Sequence, residues 1–250
     1  MTNFTIEIAG CIAAVSAQFP STARYCEAYL CRKEPDFFVT ITPADIAFER
    51  EKSAAEDRLE GKSIREFSDA YLETVAVQRK LAEKLFDYDT LLFHGSVVAV
   101  DGQAYLFTAK SGTGKSTHTR LWREVFGQRA VMVNDDKPFL RFKEDGIYAC
   151  GSPWNGKHGL GTNISVPLKA VCVLERGEEN RICRIPAKDA VFTLLQQSNR
   201  PMDGKHMPKY LELIDRLAVG AAFFRLACNM DPQAAWVSYH AMSGDRKDVE

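Results

Sequence analysis

The chain opens with short stretches in which apolar and polar residues alternate. A two-residue period is typical of β-strands that bury one face. Pro20, Pro35 and Pro43 separate these stretches and indicate turns or irregular connections. The predicted strands are Phe4–Ile8, Cys11–Ala17, Tyr25–Cys31 and Phe37–Ile41. Residues 1–60 are therefore predicted to be rich in β-structure.

The pattern then becomes strongly charged and afterwards helical. The run from Glu49 to Lys62 has few apolar positions, which predicts a solvated loop or an exposed hairpin. Ser63 and Glu66 have the spacing of a capping box, so a helix is expected from there to about Asp87. Its predicted buried face consists of Phe67, Tyr71, Val75, Gln78, Leu81 and Leu85.

From Thr90 onward apolar runs dominate. Two of them flank Asp101-Gly102 and predict a hairpin, whose second strand, Gln103–Thr108, leads into a glycine-rich loop. A helix at Lys115–Phe126, closed by Gly127, and a strand at Ala130–Asn134 follow. These elements predict a βαβ-like unit.

The last hundred residues alternate between predicted strands and helices. The predicted strands are Phe139–Phe142, Ile147–Cys150, Leu168–Leu174 and Phe223–Cys228; the predicted helices are 187–199, 207–219 and Asp231–Met242. A glycine-dense loop covers 151–161, and the tail from Ser243 is expected to fray.

The loop after Thr108 follows the phosphate-binding pattern G-x-x-x-x-G-K-[ST], with Ala109 in place of the first glycine. Gly112 and Gly114 allow positive φ, so backbone N–H groups can surround phosphate oxygens. A lysine followed by a serine at the helix start can reach phosphates and ligate Mg²⁺. The predicted nucleotide-binding residues are Ser111, Gly112, Thr113, Gly114, Lys115, Ser116 and Thr117. The alternative is a glycine-rich connection with an incidental lysine.

Two carboxylates follow the next predicted strand, at Asp135 and Asp136. A carboxylate at the end of a buried strand beside a phosphate loop is where nucleotide-binding folds hold Mg²⁺. A second carboxylate can accept a proton from an attacking hydroxyl. The alternative is an Asp-Asp turn that caps the strand.

The composition is that of a globular protein. Hydrophobic residues make up 46% and charged residues 26% of the 250 positions. With a net charge of −1, no overall basic field would recruit nucleic acid or an anionic membrane, so neither is an expected partner. The seven cysteines are odd in number and form no C-x-x-C pair, which favours buried reduced thiols over disulfides or a zinc site.

The sequence also favours a cytoplasmic location. The apolar run Ile12–Val15 has no Lys or Arg before it, and Glu7 lies where the apolar region of a signal peptide would begin. No stretch has the roughly 20 apolar residues of a membrane helix.

Three features between His94 and about Arg141 together resemble the catalytic domain of HPr serine kinase/phosphorylase. They are His94-Gly95 upstream of the loop, the run from Ser111 to Ser116, and Asp135-Asp136 on the very next strand. ATP-dependent phosphoenolpyruvate carboxykinase shares that architecture. The resemblance implies an α/β fold with a P-loop nucleotide-binding core of the HPr kinase/carboxykinase type and a mixed β-sheet.

The resemblance further implies a kinase active site that uses ATP and Mg²⁺. Lys115 and Ser116 would hold phosphates and metal, Asp135 would be the general base, Asp136 would ligate metal, and His94 would sit beside the transferred phosphate. The roles of the two aspartates could be exchanged. Residues 1–88 would form a β-rich N-terminal region ending in a helix, 89–242 the P-loop kinase-like catalytic domain, and 243–250 a frayed tail.

The resemblance does not extend to all of the HPr enzyme. Residues 1–90 do not look like its N-terminal domain, and its glycine-arginine-asparagine segment is missing. The chain looks more like shorter kinase-like relatives found near peptide-modification genes, some of which phosphorylate a serine of a precursor peptide. The predicted acceptor is therefore a serine of a peptide or small protein.

Other functions stay open at this point. A nucleotide-binding switch or ATPase would use the same loop without a phosphoryl acceptor, and a carboxykinase-like lyase or a degenerate nucleotide-binding module are further alternatives. Lys157 and Arg200 are candidates for neutralising charge on the phosphate, or are surface cations. Trp154 either stacks on a ligand or packs within its loop. A homo-oligomer is also compatible with the sequence.

Overall fold

The computed structural model describes residues 1–202 and 204–244, and the chain divides into two compact units, Met1–Tyr88 and Asp89–Glu250. Most of the tail expected to fray, residues 245–250, lies outside the described residues. Within the described ranges, no helix has the length and apolar character needed to cross a membrane.

The first unit combines a three-stranded sheet with helices. Its elements are β1 (Thr2–Ile8), β2 (Cys11–Ala17), α1 (Pro20–Tyr25), β3 (Phe37–Thr40), α2 (Pro43–Leu59) and α3 (Asp69–Leu85). β1 and β2 form an antiparallel hairpin, and β3 adds to β2 in parallel. Three of the four predicted strands are therefore present.

The predicted strand Tyr25–Cys31 is wrong. Helix α1 and a 3₁₀ turn at Glu27–Tyr29 occupy this part of the chain. Pro20 stands in the first turn of α1, where its missing N–H costs nothing and its fixed φ suits a helix. Only an isolated bridge between Ile6 and Leu30 connects this segment with β1.

The charged run at Glu49–Lys62, predicted to be a loop or hairpin, belongs largely to helix α2. The helix is nucleated upstream by a capping box, in which the Thr42 side chain accepts from the Asp45 N–H and the Asp45 carboxylate accepts from the Thr42 N–H. Pro43 occupies the first turn. Charged residues favour solvent in loops and helices alike, so the charge pattern did not distinguish the two.

The predicted helix from Ser63 begins later, at Asp69, and Ser68 supplies its N-cap by accepting from the Tyr71 N–H. Its buried face is also rotated from the predicted one. Leu81 and Leu85 are buried as expected, but Tyr71 is exposed. The remaining apolar buried positions are Leu72, Ala76, Val77 and Ala82.

The second unit is built on a curled mixed sheet of nine strands. Its strands are β4 (Thr90–Leu92), β5 (Ser96–Val100), β6 (Gln103–Thr108), β7 (Ala130–Asn134), β8 (Phe139–Phe142), β9 (Ile147–Cys150), β10 (Ser165–Arg176), β11 (Arg181–Ile185) and β12 (Ala222–Cys228). Its helices are α4 (Lys115–Phe126), α5 (Ala187–Gln197), α6 (Met207–Gly220) and α7 (Gln233–Ser243).

The order and direction of the strands decide which strand ends lie next to one another. β10 pairs in parallel with β6 on one side and with β12 on the other, while β5 pairs antiparallel with both β6 and β7. In register, Thr108 lies opposite Val173, and Arg176 lies opposite Cys228. The carboxyl ends of the three parallel strands therefore share one edge of the sheet, the place where α/β folds bind ligands.

Helices α4 and α7 pack together on the sheet around Trp122. This indole ring is fully buried, with the rings of Tyr105, Phe107, Phe126 and Tyr239 within 5.7 Å of it, centroid to centroid. The burial fixes α4 against β6, and thereby the direction in which its N-terminus points.

Most elements predicted for this unit are present. The hairpin around Asp101-Gly102, helix α4 with Gly127 as its C-cap, and strand β7 are confirmed. The predicted α/β class is confirmed. Strand β11 was not predicted; it pairs with the outer side of β12 and has mostly exposed side chains.

Candidate active site

The loop between β6 and α4 and the end of β7 line one cleft of about 530 Å³. The cleft is lined by His94, Ser111, Gly112, Gly114, Lys115, Ser116, Thr117, Asp135, Asp136, Gly156, Lys157 and His158. The structure thus brings together nearly all predicted site residues. Thr113 instead lines a neighbouring cavity on the other side of the loop.

The loop bends through two glycines with positive φ. Gly112 has φ +79° and Gly114, the N-cap of α4, has φ +126°, conformations that strain any L side chain. Thr113 tightens the turn, because its N–H and its hydroxyl both donate to the Lys110 carbonyl. The unpaired N–H groups at the start of α4 therefore belong to a fixed loop at the cleft wall.

Lys115 is buried at the base of the cleft, with 9% of its surface exposed. Its Nζ donates to the carbonyl of Ala109, 3.0 Å away, within the same loop. Burial lowers the pKa of its ammonium, while the charges of Asp136 and Asp135 act in the opposite direction. Among residues 1–202 and 204–244 this carbonyl is the one hydrogen-bond acceptor of the buried ammonium, which is therefore well placed to bind an anion.

Asp135 is buried and is oriented by a chain of hydroxyl groups. Its Oδ1 accepts from the Ser96 hydroxyl at 2.6 Å. Since its one proton goes to Asp135, the Ser96 hydroxyl accepts from the Thr119 hydroxyl, 2.9 Å away. The Lys115 carbonyl, 3.3 Å from the Thr119 hydroxyl, is a second acceptor for the same proton. This chain links β5, β7 and α4, so the carboxylate is held in one direction relative to the phosphate-binding loop.

Asp136 is half-exposed and faces His94, whose Nε2 lies 3.4 Å from its Oδ1. Burial raises the pKa of the Asp136 carboxyl, opposed by the charges of Lys137 and Lys115. Burial and the same two lysines lower the pKa of His94 to about 3. At neutral pH the His94 imidazole is therefore neutral, and its contact with Asp136 is not an ion pair.

Asn134 shapes the turn that carries the two aspartates. Its Oδ1 accepts from the N–H groups of Asp136 and Lys137, at 2.8 and 2.6 Å. Its Nδ2 donates to both the carbonyl and the hydroxyl of Ser152, and to Asn155 Oδ1 at 2.7 Å. The side chain is fully buried, so these bonds fix the turn against the loop after β9.

The position after His94, occupied by Gly95, has too little space for a side chain. A Cβ at this position would lie 3.0 Å from the Phe107 carbonyl oxygen and 3.3 Å from a Leu106 methyl group. The close approach lets the Gly95 N–H donate to the Asp136 carbonyl at 3.1 Å. His94 is thus held beside the aspartate turn by the backbone of the next residue.

The remaining candidates divide between the cleft and its surroundings. Lys157 and His158 line the cleft on a 3₁₀ turn at Gly156–His158, whereas Arg200 is exposed and is not one of the cleft-lining residues. Trp154 is buried, as its packing interpretation requires, and its carbonyl accepts from the Lys137 N–H.

Three contributors to the site were not identified in the sequence: Ser96, Asn134 and Lys137. Ser96 and Asn134 act through partners far along the chain, and the charge of Lys137 shifts the pKa values of His94 and Asp136. The tripeptide Asn134-Asp135-Asp136 carried a usable signal, because an Asn at the end of a strand commonly accepts from the N–H two residues later.

No cysteine is among the residues that line the cleft. All seven cysteines are free, as predicted, although Cys183 is exposed and Cys31 and Cys228 are only partly buried. In residues 1–202 and 204–244, no group of three or more His, Cys, Asp or Glu side chains is arranged to hold a metal ion.

Comparisons with known proteins place these residues within a family. The family model described as SynChlorMet cassette protein ScmC matches residues 63–236, a range that contains every cleft-lining residue. A solved structure of the HPr(Ser) kinase/phosphatase from Coxiella burnetii matches with 10% identity and a TM-score of 0.38, covering 61% of this chain and 97% of that one. No curated protein matches the sequence. The HPr kinase-type P-loop core stays a prediction.

Proposed function

The chain belongs to the ScmC family, and we propose that it is a kinase dependent on Mg²⁺ and ATP that transfers the γ-phosphoryl group to a hydroxyl, a serine of a peptide or small protein. The observation that carries the proposal is the convergence of Lys115, Asp135, Asp136 and His94 on one cleft beside a two-glycine loop. In this proposal residues 89–242 form the catalytic domain.

The residues of the cleft fit the phosphates of a nucleoside triphosphate. The loop offers backbone N–H groups and the N-terminus of α4, and Lys115 supplies a buried ammonium that donates to the Ala109 carbonyl. Charge-assisted bonds to phosphate oxygens would compensate the desolvation that lowers the pKa of Lys115. Bound ATP would contribute the phosphoryl group and bound Mg²⁺ the neutralisation of its charge.

The residues also fit a magnesium ion shared with phosphates. Mg²⁺ is commonly held by one or two protein oxygens together with phosphate oxygens and water. Asp136 and Ser116 both line the cleft, and a cation beside Asp136 would offset the burial that raises the pKa of its carboxyl. These two residues are therefore the proposed ligands.

Asp135 is the proposed general base. The Ser96 hydroxyl fixes the direction of its carboxylate, which would accept the proton of the attacking serine hydroxyl. Lys115 would hold the phosphates in place, and neutral His94 would orient the transferred group by hydrogen bonding. Positioning and charge neutralisation supply most of the catalysis in phosphoryl transfer.

The test is nucleotide turnover by purified protein with labelled ATP, Mg²⁺ and serine-containing peptides encoded beside its gene. Transfer to a peptide serine is expected. Asp135→Asn is expected to keep nucleotide affinity within about threefold and to lower transfer by roughly 10²- to 10⁴-fold. Asp136→Asn is expected to weaken the dependence of nucleotide binding on Mg²⁺, which would separate the roles of the two aspartates.

Asp189→Asn, at an exposed aspartate on α5, is the matched control and should leave transfer unchanged. Circular dichroism establishes that the variants are folded. Undiminished transfer by a folded Asp135→Asn variant would remove Asp135 as the base. Binding of ATP without transfer to any peptide would instead favour the nucleotide-binding switch.

A further inference from the structure

The phosphate-binding loop is hydrogen-bonded to a residue far along the chain, Arg176 at the carboxyl end of β10. The guanidinium donates from Nη2 to the Gly112 carbonyl oxygen at 2.6 Å, and its Nε lies 3.5 Å from the Thr113 carbonyl oxygen. Arg176 lines the cavity behind the loop and is not one of the residues that line the catalytic cleft. It therefore contacts the loop from the side opposite to the cleft.

The sheet holds Arg176 in this place. β10 pairs in parallel with β6, the strand that leads into the loop, and Arg176 itself lies opposite Cys228 of β12. The backbone of Arg176 is thus part of a strand that is paired on both sides. Its bonds to Gly112 and Thr113 connect the loop to this strand across 64 and 63 positions of the sequence.

The loop has reason to need such a connection. Gly112 and Gly114 adopt φ values of +79° and +126°, and glycine loses more conformational freedom on ordering than any other residue. The bonds from Thr113 to the Lys110 carbonyl stay within the loop. They tighten the turn, whereas the bonds from Arg176 fix it relative to the sheet.

The bonds from Arg176 also bear on the direction of the loop's peptide groups. In a trans peptide unit the C=O and the N–H point in opposite directions. With the Thr113 carbonyl turned towards Arg176, the Gly114 N–H is turned towards the cleft, which Gly114 lines. A carbonyl oxygen turned into the cleft would instead repel phosphate oxygens.

We propose that Arg176 is a positioning residue of the phosphate site, which holds the loop from behind in the conformation that presents its N–H groups to phosphates. Arg176 does not touch the nucleotide in this proposal. Without it the binding-competent conformation would be less populated, and the apparent affinity would fall by the same factor. The inference rests on the proposed function, since it assumes that phosphates bind in the cleft.

The test measures the affinities of Mg²⁺-ATP and Mg²⁺-tripolyphosphate by isothermal titration calorimetry. Arg176→Met removes the guanidinium and keeps an apolar side chain in place of its stem. The variant is expected to bind both ligands about tenfold more weakly than the wild-type protein, as for the loss of a hydrogen bond from a charged donor. The two losses should be equal, because both ligands use the loop.

Arg176→Lys keeps one donor that can bond to the Gly112 carbonyl, and its affinities are expected within about threefold of the wild-type values. Arg184→Ala, at an exposed arginine on β11 that lines neither the cleft nor the cavity, is the matched control and should change neither affinity. Circular dichroism establishes folding. If Arg176→Met does not fold, Arg176→Ala replaces it with the same expected loss.

Salt separates positioning from a charge effect. A charge acting on phosphates through solvent is screened at high ionic strength, whereas a hydrogen bond that orders the loop is not. The affinity ratio between the wild-type protein and Arg176→Met is therefore expected to stay within about twofold between 0.05 and 0.5 M NaCl, on the order of the screening range tested.

The outcomes separate the two proposals. Undiminished affinities in the folded Arg176→Met variant would overturn the inference and leave the phosphate site standing. A loss for ATP without a loss for tripolyphosphate would also overturn it, because Arg176 would then contact the base or ribose. A loss that disappears at high salt would do the same. Binding of neither ligand by the wild-type protein would remove the proposed function, and the inference with it.

Discussion

At the scale of single residues, the arrangement of the cleft depends on side chains that touch no substrate. Asn134 makes its hydrogen bonds with atoms of Asp136, Lys137, Ser152 and Asn155, and it is fully buried. Together these bonds determine where the two carboxylates point. A buried network of this kind is costly to break, because the groups left behind lose their partners.

We therefore expect Asn134→Ala to impair both stability and catalysis. Removing the partners of the Asp136 N–H and the Ser152 carbonyl should lower the free energy of unfolding by about 3 kcal/mol. A shifted aspartate turn should lower phosphoryl transfer by about 100-fold. Urea unfolding and peptide phosphorylation assays measure the two effects.

Asn3→Ala, at an exposed asparagine on β1, is the control and should change neither quantity. The expectation for Asn134 would fail if its alanine variant transferred phosphate at a rate within threefold of the wild-type protein. In that case the turn would be held by the backbone alone.

The sequence predicted the residues that line the site better than the residues that hold them in place by hydrogen bonding. Gly112, Gly114 and Lys115 follow a local pattern with a physical reason for each position, so they could be found without the fold. The bond between Asn134 and Ser152 spans 18 positions, and that between Ser96 and Asp135 spans 39. Such pairings depend on strand order, which a local pattern does not contain.

At the scale of secondary-structure elements, helix α2 is fastened to α3 by a cluster of charges. Asp45 accepts from Lys80 Nζ at 2.8 Å, and Arg79 Nε donates to Glu49 Oε1 at 2.5 Å. Burial opposes ionisation of Asp45, but hydrogen bonds from Lys80 and Thr42 outweigh it and lower its pKa to about 2. Two acidic side chains of α2, Asp45 and Glu49, are thus paired with basic side chains of α3.

This cluster predicts a pH dependence of stability. The pKa of Asp45 is 3.8 in the unfolded chain and about 2 in the folded one, so the unfolded state binds the proton more readily. The stabilisation is complete above about pH 4 and is lost as the pH falls towards 2. Allowing for solvent screening, it amounts to about 1 kcal/mol.

Thermal unfolding of the wild-type protein and of Asp45→Asn at pH 6 and pH 2.5 measures this contribution. We expect the variant to be less stable at pH 6 and the difference to shrink at pH 2.5. Glu51→Gln, at an exposed position on the same helix, is the control. A difference that stays constant between the two pH values would show that Asp45 acts as a helix cap without an ionic contribution.

Element prediction succeeded where apolar periodicity and turn residues agreed, as in the β5–β6 hairpin and in α4. It failed in the first unit, where α1 occupies a predicted strand and α2 a predicted loop. Helix α2 buries Glu49 and Asp57 through pairing with Arg79 and Arg65, so its buried face does not appear apolar in the sequence. Hydrophobic periodicity cannot detect a face that is buried by ion pairs.

At the scale of the whole molecule, the parallel strands β6, β10 and β12 place the loop, Arg176 and Cys228 at one edge of the sheet. The catalytic cleft lies on one side of the loop, and the cavity that Thr113 lines lies on the other. All residues that line them belong to Asp89–Glu250. The nucleotide site is therefore a property of the second unit in our proposal.

This assignment predicts that residues 89–250 bind nucleotide without residues 1–88. We expect the shorter chain to bind Mg²⁺-ATP within about threefold of the full-length affinity, because it keeps every residue that lines the two cavities. Calorimetric titration of both proteins measures this, after circular dichroism and a cooperative unfolding transition have established that the shorter chain is folded. Lys115→Ala in the shorter chain is the negative control and should abolish binding. A folded 89–250 chain that did not bind ATP, beside a full-length protein that did, would mean that residues 1–88 contribute directly to the nucleotide site.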